Sequence, residues 1–198
     1  MLKRLQGWLR KIKVYLDVAR ARGIARRYFV MNGFDGSMTM FGIVIGSWAA
    51  RITESETIIA AGLGACLAMG TSGFFGAFMA ERAERKRYLR TLEATLTEPD
   101  PVHYEASKFV SVYVALIDGI SPTLTATVSL APFILTRMGL LLIGSAYTIS
   151  LVLTLMTLFF LGLYLGKIAR ENVWLHGAQM IAIGIITAVL IFLLERSL

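Results

Sequence analysis

Five stretches of this chain are each long and apolar enough to cross a lipid bilayer, and this feature restricts the fold more than any other. A helix needs about 20 apolar residues to cross a hydrocarbon core of about 30 Å at about 1.5 Å per residue. Hydrophobic residues make up 56% of the 198, which excludes an ordinary soluble domain. The sequence therefore predicts an all-α integral membrane protein with five transmembrane helices, at about residues 29–50, 57–80, 109–136, 139–166 and 176–194.

The net charge of +7 is distributed unevenly between the two sides that this topology defines. Seventeen of the twenty Lys and Arg residues precede the first span or lie in the 2–3 and 4–5 connections, and three lie on the opposite side. By the positive-inside rule, the N-terminus is cytoplasmic and the C-terminus is outside. The basic charge thus reports topology and contact with anionic membrane lipids, and nucleic acid is not an expected partner.

Residues 1–27 predict an amphipathic helix in the cytoplasmic interface, ahead of a transmembrane domain over residues 28–198. Apolar residues recur at helical spacing, with Lys and Arg on the opposite face. Within the transmembrane domain, residues 81–108 form a short, charged cytoplasmic connection that keeps helical character until Pro99 and Pro101 interrupt it.

Two carboxylates lie inside the predicted spans, Asp35 in the first and Asp118 in the third. A charge at such depth costs at least about 2.5–3.5 kcal/mol, so it has to face protein, water or a partner. No Lys or Arg within the spans is available to neutralise either side chain. The remaining candidates are a bound cation, a proton, or a hydrogen bond across a helix interface.

The neighbouring residues favour a cation. Asp35 shares a helical face with Met38, and Met69 lies on a glycine-lined face of the second span. Small residues allow helices to approach closely. Carboxylate oxygens suit Mg²⁺ or Ca²⁺, whereas added thioether sulfur shifts the preference toward softer first-row ions such as Fe²⁺.

A second candidate metal site follows the second span. Glu81 and Glu84 are one helical turn apart and have the spacing to share a cation. They also alternate with basic residues, a pattern typical of a solvated, salt-bridged helix. Neither His103 nor His176 has a partner at the spacing of a zinc motif.

Four segments together resemble the vacuolar iron transporter family, also known as the iron/manganese transporters of the nodulin-21 type. The similarity covers about residues 28–194, in the family's order and with its five spans. The segments are "DGSMTMFGIVIG", "LAMGTSGFFGAFMAERAE", "SLAPFIL" and "GLYLGKIARENVWLHGAQMIAIG".

The resemblance implies a homodimer with the translocation path between its protomers, and export of Fe²⁺, often also Mn²⁺, coupled to inward protons. In the family pattern, Asp35 and Met69 coordinate the moving ion. Four features depart from this pattern. Gly73 stands where typical members carry a glutamate, and the 2–3 connection lacks a long glutamate-rich domain. The paired prolines near the end of span three are reduced to Pro132, with Ser129 at the other position, and Asp118 is additional. The role of Asp118 is then that of an added metal ligand or a proton carrier.

The sequence therefore predicts a non-enzymatic transporter of Fe²⁺ and/or Mn²⁺ out of the cytosol, acting as a proton antiporter. The expected partners are the metal ion, protons, membrane lipids and a second copy of the chain, with no permanently bound cofactor. The expected location is a prokaryotic plasma membrane. Two alternatives are a membrane-embedded lipid-headgroup enzyme, whose DGxxAR pattern the chain lacks, and a membrane scaffold without turnover.

Overall fold

A computed structural model describes residues 2–18, 21–95 and 101–197, and over these residues the chain is all-helical. The helices are α1 (Leu2–Val18), α2 (Ala21–Ala49), α3 (Ser55–Thr95), α4 (Pro101–Arg137), α5 (Ile143–Ala169) and α6 (Val173–Ser197).

Four of these helices are long and apolar enough to cross a membrane: Ser55–Thr95, Pro101–Arg137, Ile143–Ala169 and Val173–Leu194. They contain the predicted second, third and fifth spans and all but the first four residues of the predicted fourth. The chain is therefore an integral membrane protein. Helix α2 contains the predicted first span but is not among the four, because Asn32 and Asp35 interrupt its apolar stretch.

Helix bounds differ from the predicted segments at three places. The N-terminal segment divides into α1 and the start of α2 at Ala21, and the side chains preceding Arg10 lie outside the described residues. The 81–108 connection is helical up to Thr95 and again from Pro101, since a proline at a first helical position lacks only an N–H that needs no partner there. The predicted fourth span begins too early, because α5 starts at Ile143.

The turn before α5 explains why this helix starts at Ile143 and not at the predicted residue 139. Gly139 has a φ of +76°, a left-handed conformation that glycine adopts without strain. Its N–H donates to the Thr136 carbonyl, and the Leu140 N–H donates to the Leu135 carbonyl. These two bonds form a Schellman motif, which ends α4 and delays the next helix.

The chain divides into two compact units, and the long helices α2, α3 and α4 contribute to both. Unit 1 comprises Met1–Phe29 and Thr71–Ile120. Its apolar core contains Ala21, Val110 and Val114, and Leu16 near the end of α1 packs against it. The Tyr15 hydroxyl also donates to the Glu105 carboxylate, so the end of α1 is attached to the start of α4.

Unit 2 comprises Val30–Gly70 and Ser121–Leu198. Its core is built around fully buried side chains such as Met40, Leu130 and Phe133. Buried hydroxyls connect α4 to α5: Ser150 donates to the Ser129 carbonyl at 2.6 Å, and the Ser129 and Thr154 hydroxyls lie 2.6 Å apart. Inside an apolar core no water is available to these hydroxyls, so hydrogen bonds within the protein satisfy them.

Candidate metal-transport site

Asp35 lies on the outer surface of unit 2, although it stands in an apolar helix. The side chain is exposed, and the adjacent Gly36 and Ser37 are buried. Within the described residues, Asp35 has no hydrogen bond or ion pair. Met31, one turn earlier on the same face, is 58% exposed, and Met38, one turn later, is half-buried. One carboxylate and two thioethers therefore line one face of α2, and the rest of the chain leaves this face partly exposed.

A close crossing between α2 and α4 fixes the direction in which Asp35 points. A Cβ placed on Gly36 would lie 2.5 Å from the Cα of Pro122, so only glycine permits this approach. The Thr125 hydroxyl donates to the Gly33 carbonyl at 2.8 Å. Because Gly33 and Gly36 face α4, the carboxylate between them points away from that helix.

Asp118 is in the opposite situation. It is buried in unit 1, at 4% exposure, and it has interaction partners there. Within α4, its carbonyl receives no N–H from residue 122, which is a proline. The carboxylate of Asp118 therefore lies at a point of α4 where the regular helical hydrogen-bond pattern is interrupted by Pro122.

Gly73 of α3 faces this carboxylate. A Cβ on Gly73 would lie 3.2 Å from the Asp118 Oδ2 and 3.3 Å from the Asp118 carbonyl oxygen. The two departures from the family pattern, a missing side chain at Gly73 and an additional carboxylate at Asp118, are thus neighbours in space. A side chain at position 73 would therefore be in tight contact with Asp118.

Glu81 and Glu84 have different surroundings, although both lie on α3. Glu81 is buried and forms an ion pair with Arg85 at 3.6 Å, whereas Glu84 is exposed. The Tyr28 phenol lies within electrostatic reach of both Glu81 and Asp118. Burial raises the pKa of Tyr28, which precedes the predicted first span, and these two carboxylates raise it further against the opposing effect of Arg27.

Met69 is half-buried on α3 in unit 2 and has contacts of its own. Asp35, Met38 and Met69 thus belong to unit 2, and Asp118, Glu81 and Glu84 belong to unit 1. Among the residues that the structure describes, no group of three or more His, Cys, Asp or Glu side chains is arranged to hold a metal ion. A closed cage of the resident-metal type is therefore not found in that part of the chain.

Two contributors were not identified from the sequence. Tyr28 was missed because a single tyrosine at the start of a span is common in interfacial positions. The hydrogen bond from Thr125 to Gly33 was missed because its donor and acceptor are 92 positions apart. The sequence did offer one signal, since glycines recur in the span that contains Gly33 and hydroxyl residues recur in the span that contains Thr125. Such stretches indicate that two helices cross closely, but they do not specify which residues meet.

The helices and the candidate site define the class of this protein: it is an integral membrane protein with carboxylates in its apolar helices. The profile of the VIT family matches residues 26–116. An uncharacterized protein of the archaeon Methanocaldococcus jannaschii is 35% identical over 176 residues, which cover 86% of this chain and 88% of that protein. The chain belongs to the VIT family, which confirms the resemblance found in the sequence. This is a family of transporters, and membership indicates metal-ion transport.

Proposed function

We propose that this protein exports divalent first-row metal ions, Fe²⁺ and/or Mn²⁺, from the cytosol in exchange for protons. In this proposal α2 is the first of five spans, the N-terminus is cytoplasmic, and α1 lies at the membrane surface. The membrane is a prokaryotic plasma membrane, in agreement with an archaeal relative. Family membership supports metal transport, and the donor chemistry of the spans supports the choice of ion.

The exposed carboxylate of Asp35 is the observation that carries the proposal. Left against acyl chains, such a charge costs at least about 2.5–3.5 kcal/mol, so the protomer alone is an unfavourable state. A second copy packed on this face of α2 would cover it. We propose that Asp35 and Met69 coordinate the passing ion in this homodimer, with Met38 as an additional thioether on the same face of α2.

Asp118 is proposed to carry the proton. A carboxylate within a span, without Lys or Arg in the spans beside it, is stabilised when it binds a proton or a cation. Glu84 is proposed to attract metal ions at the cytoplasmic entrance, because it is exposed. Glu81 is held by Arg85 and is proposed to contribute to that entrance only when the ion pair opens.

Metal flux into proteoliposomes tests the transport proposal. We expect Asp35→Asn and Met69→Leu each to reduce Fe²⁺ and Mn²⁺ flux at least tenfold, while Glu56→Gln retains it. Glu56 is the matched control, since it is an exposed carboxylate that pairs with Arg137 outside the proposed path. Unchanged flux in Asp35→Asn would refute the assignment of the ion site, and absence of flux in the wild type would favour a scaffold or an enzyme.

Cysteine cross-linking tests the homodimer independently of flux. Met31 and Met156 are both exposed methionines, at 58% and 49%, but only Met31 lies on the face of α2 that carries Asp35. The single native cysteine, Cys66, is buried. We expect a bifunctional thiol reagent to join two copies of Met31→Cys in membranes and not two copies of Met156→Cys. The reverse pattern would place the contact between copies elsewhere.

A further inference from the structure

A cavity of about 490 Å³ lies between α3 and α4 in unit 1. Each helix contributes one continuous face to it. The α3 face includes Arg82, Arg85 and Lys86, and the α4 face includes Ser107 and Lys108. Both sets follow the helical i, i+3, i+4 spacing, so the cavity is formed by two straight helix faces and does not depend on a loop.

The cavity is strongly basic. Arg82, Lys86 and Lys108 are exposed, and the side chain of Arg85 is only 13% exposed. Glu81, which does not line the cavity, offsets one of these four charges through its ion pair with Arg85. Over the described residues, no Asp or Glu side chain lines the cavity. About three positive charges therefore remain without a carboxylate facing them.

Arg85 also retains a hydrogen-bond donor that the described part of the chain does not use. Its Nε is buried and has no partner there. A buried donor without an acceptor is destabilising, which favours an occupant that supplies an oxygen acceptor. Guanidinium groups bind phosphate and carboxylate oxygens through such directed N–H donors.

The remaining lining indicates an occupant with an apolar part. Phe78, Leu89 and Val112 contribute hydrocarbon surface, and Ser107 and Ser111 contribute buried hydroxyls. Phe78 lies near the end of the predicted second span, and Lys108 immediately precedes the predicted third span. The cavity therefore lies at the predicted cytoplasmic boundary of the bilayer, where phosphate headgroups and the first acyl carbons meet.

We propose that this cavity binds the phosphate headgroup of an anionic phospholipid. Basic pockets between transmembrane helices on the cytoplasmic side are suited to such headgroups. The exposed cations meet the phosphate at the rim, Arg85 and the serines form the polar base, and the apolar wall contacts the glycerol and upper acyl region. This binding site does not depend on the proposed metal transport.

Lipid binding to the full chain, measured by native mass spectrometry in detergent, tests the proposal. The probes are phosphatidylglycerol, phosphatidylcholine and inorganic phosphate. We expect the wild type to bind phosphatidylglycerol at least about tenfold more tightly than phosphatidylcholine, since each facing cation contributes about fivefold in affinity. The double variant Arg82→Gln with Lys86→Gln is expected to lose on the order of 25-fold for phosphatidylglycerol.

The matched control is Arg87→Gln with Arg90→Gln, which removes two positive charges from the same helix outside the cavity lining. It is expected to bind phosphatidylglycerol within about twofold of the wild type. Equal losses in the two double variants would overturn the proposal, because general surface charge would then explain binding. Phosphate binding as tight as that of phosphatidylglycerol would also overturn it, in favour of a soluble anion.

A variant on the opposite wall keeps the test decisive if the α3 variant does not fold. Lys108→Gln changes one exposed residue of α4 and is expected to lose about fivefold for phosphatidylglycerol. An affinity unchanged from that of the wild type would contradict a headgroup held between the two helices.

Discussion

Replacement of Gly36 by alanine tests whether the α2–α4 crossing determines the position of the candidate ion site. The added Cβ would lie 2.5 Å from the Pro122 Cα and 2.7 Å from the Thr125 Oγ1. Carbon atoms in contact are about 3.5–4.0 Å apart, so the helices have to separate by about 1 Å. The atom in the way belongs to the backbone of a proline, which no rotamer change can move.

Two opposing effects determine how much the Gly36→Ala substitution lowers the stability of the protein. Overpacking a well-packed interface costs about 1–3 kcal/mol. Removal of a glycine from a helix interior returns roughly 0.5–1 kcal/mol. The net loss is therefore on the order of 0–2.5 kcal/mol. At about 2–4 °C per kcal/mol for a chain of this length, the apparent Tm should fall by up to roughly 10 °C.

Thermal unfolding in detergent and metal flux in proteoliposomes check this prediction, with two glycines of the same helix as controls. A Cβ on Gly23 has nothing within 4 Å, and a Cβ on Gly33 first meets the Thr125 Cγ2 at 3.4 Å, an ordinary side-chain contact. Gly23→Ala should raise the Tm, and Gly33→Ala should fall between the other two. A Gly36→Ala variant that is as stable as Gly23→Ala and transports metal normally would refute the role of the crossing.

Three further predictions concern single side chains. Thr125→Val removes the hydrogen bond to the Gly33 carbonyl and should lower the stability by about 1 kcal/mol, measured by thermal unfolding. Glu81→Gln should cost about 1–3 kcal/mol in the same assay because it leaves a mostly buried guanidinium without its charged partner, whereas Glu84→Gln should change the Tm little. Asp118→Asn should leave metal flux less dependent on the pH gradient, and an unaltered gradient dependence in proteoliposomes would contradict its role as the proton carrier.

The helices and most of their bounds were predictable because their signals are local. Apolar runs of sufficient length indicated the long helices, and Pro101 stands at the first position of α4, whereas Pro99 lies outside the described residues. The end of α4 was also readable in principle, since Gly139 occupies the position that a Schellman motif requires. The apolar residues after it concealed the turn, and the predicted fourth span therefore began too early.

The surroundings of the two carboxylates in the predicted spans were not predictable. Asp35 and Asp118 are each followed by glycine and stand in similar apolar contexts, yet one is exposed and the other is buried. The rotation of a helix about its axis decides this difference, and tertiary contacts set that rotation. For Asp35 the deciding contact is the approach of Gly36 to Pro122, which joins residues far apart in the chain.

Asp35 and Asp118 differ in burial, and this difference affects which ion the proposed site binds. Asp118 is buried within the chain and has interaction partners there. Asp35 is exposed, so a group outside the protomer has to offset its charge. If two copies meet at this face, they bring two carboxylates into one apolar region, where like charges repel strongly. A divalent cation offsets both charges at once, whereas a proton neutralises one. Under the proposed function, the same exposed charge that favours assembly of the homodimer also selects a dication as its cargo.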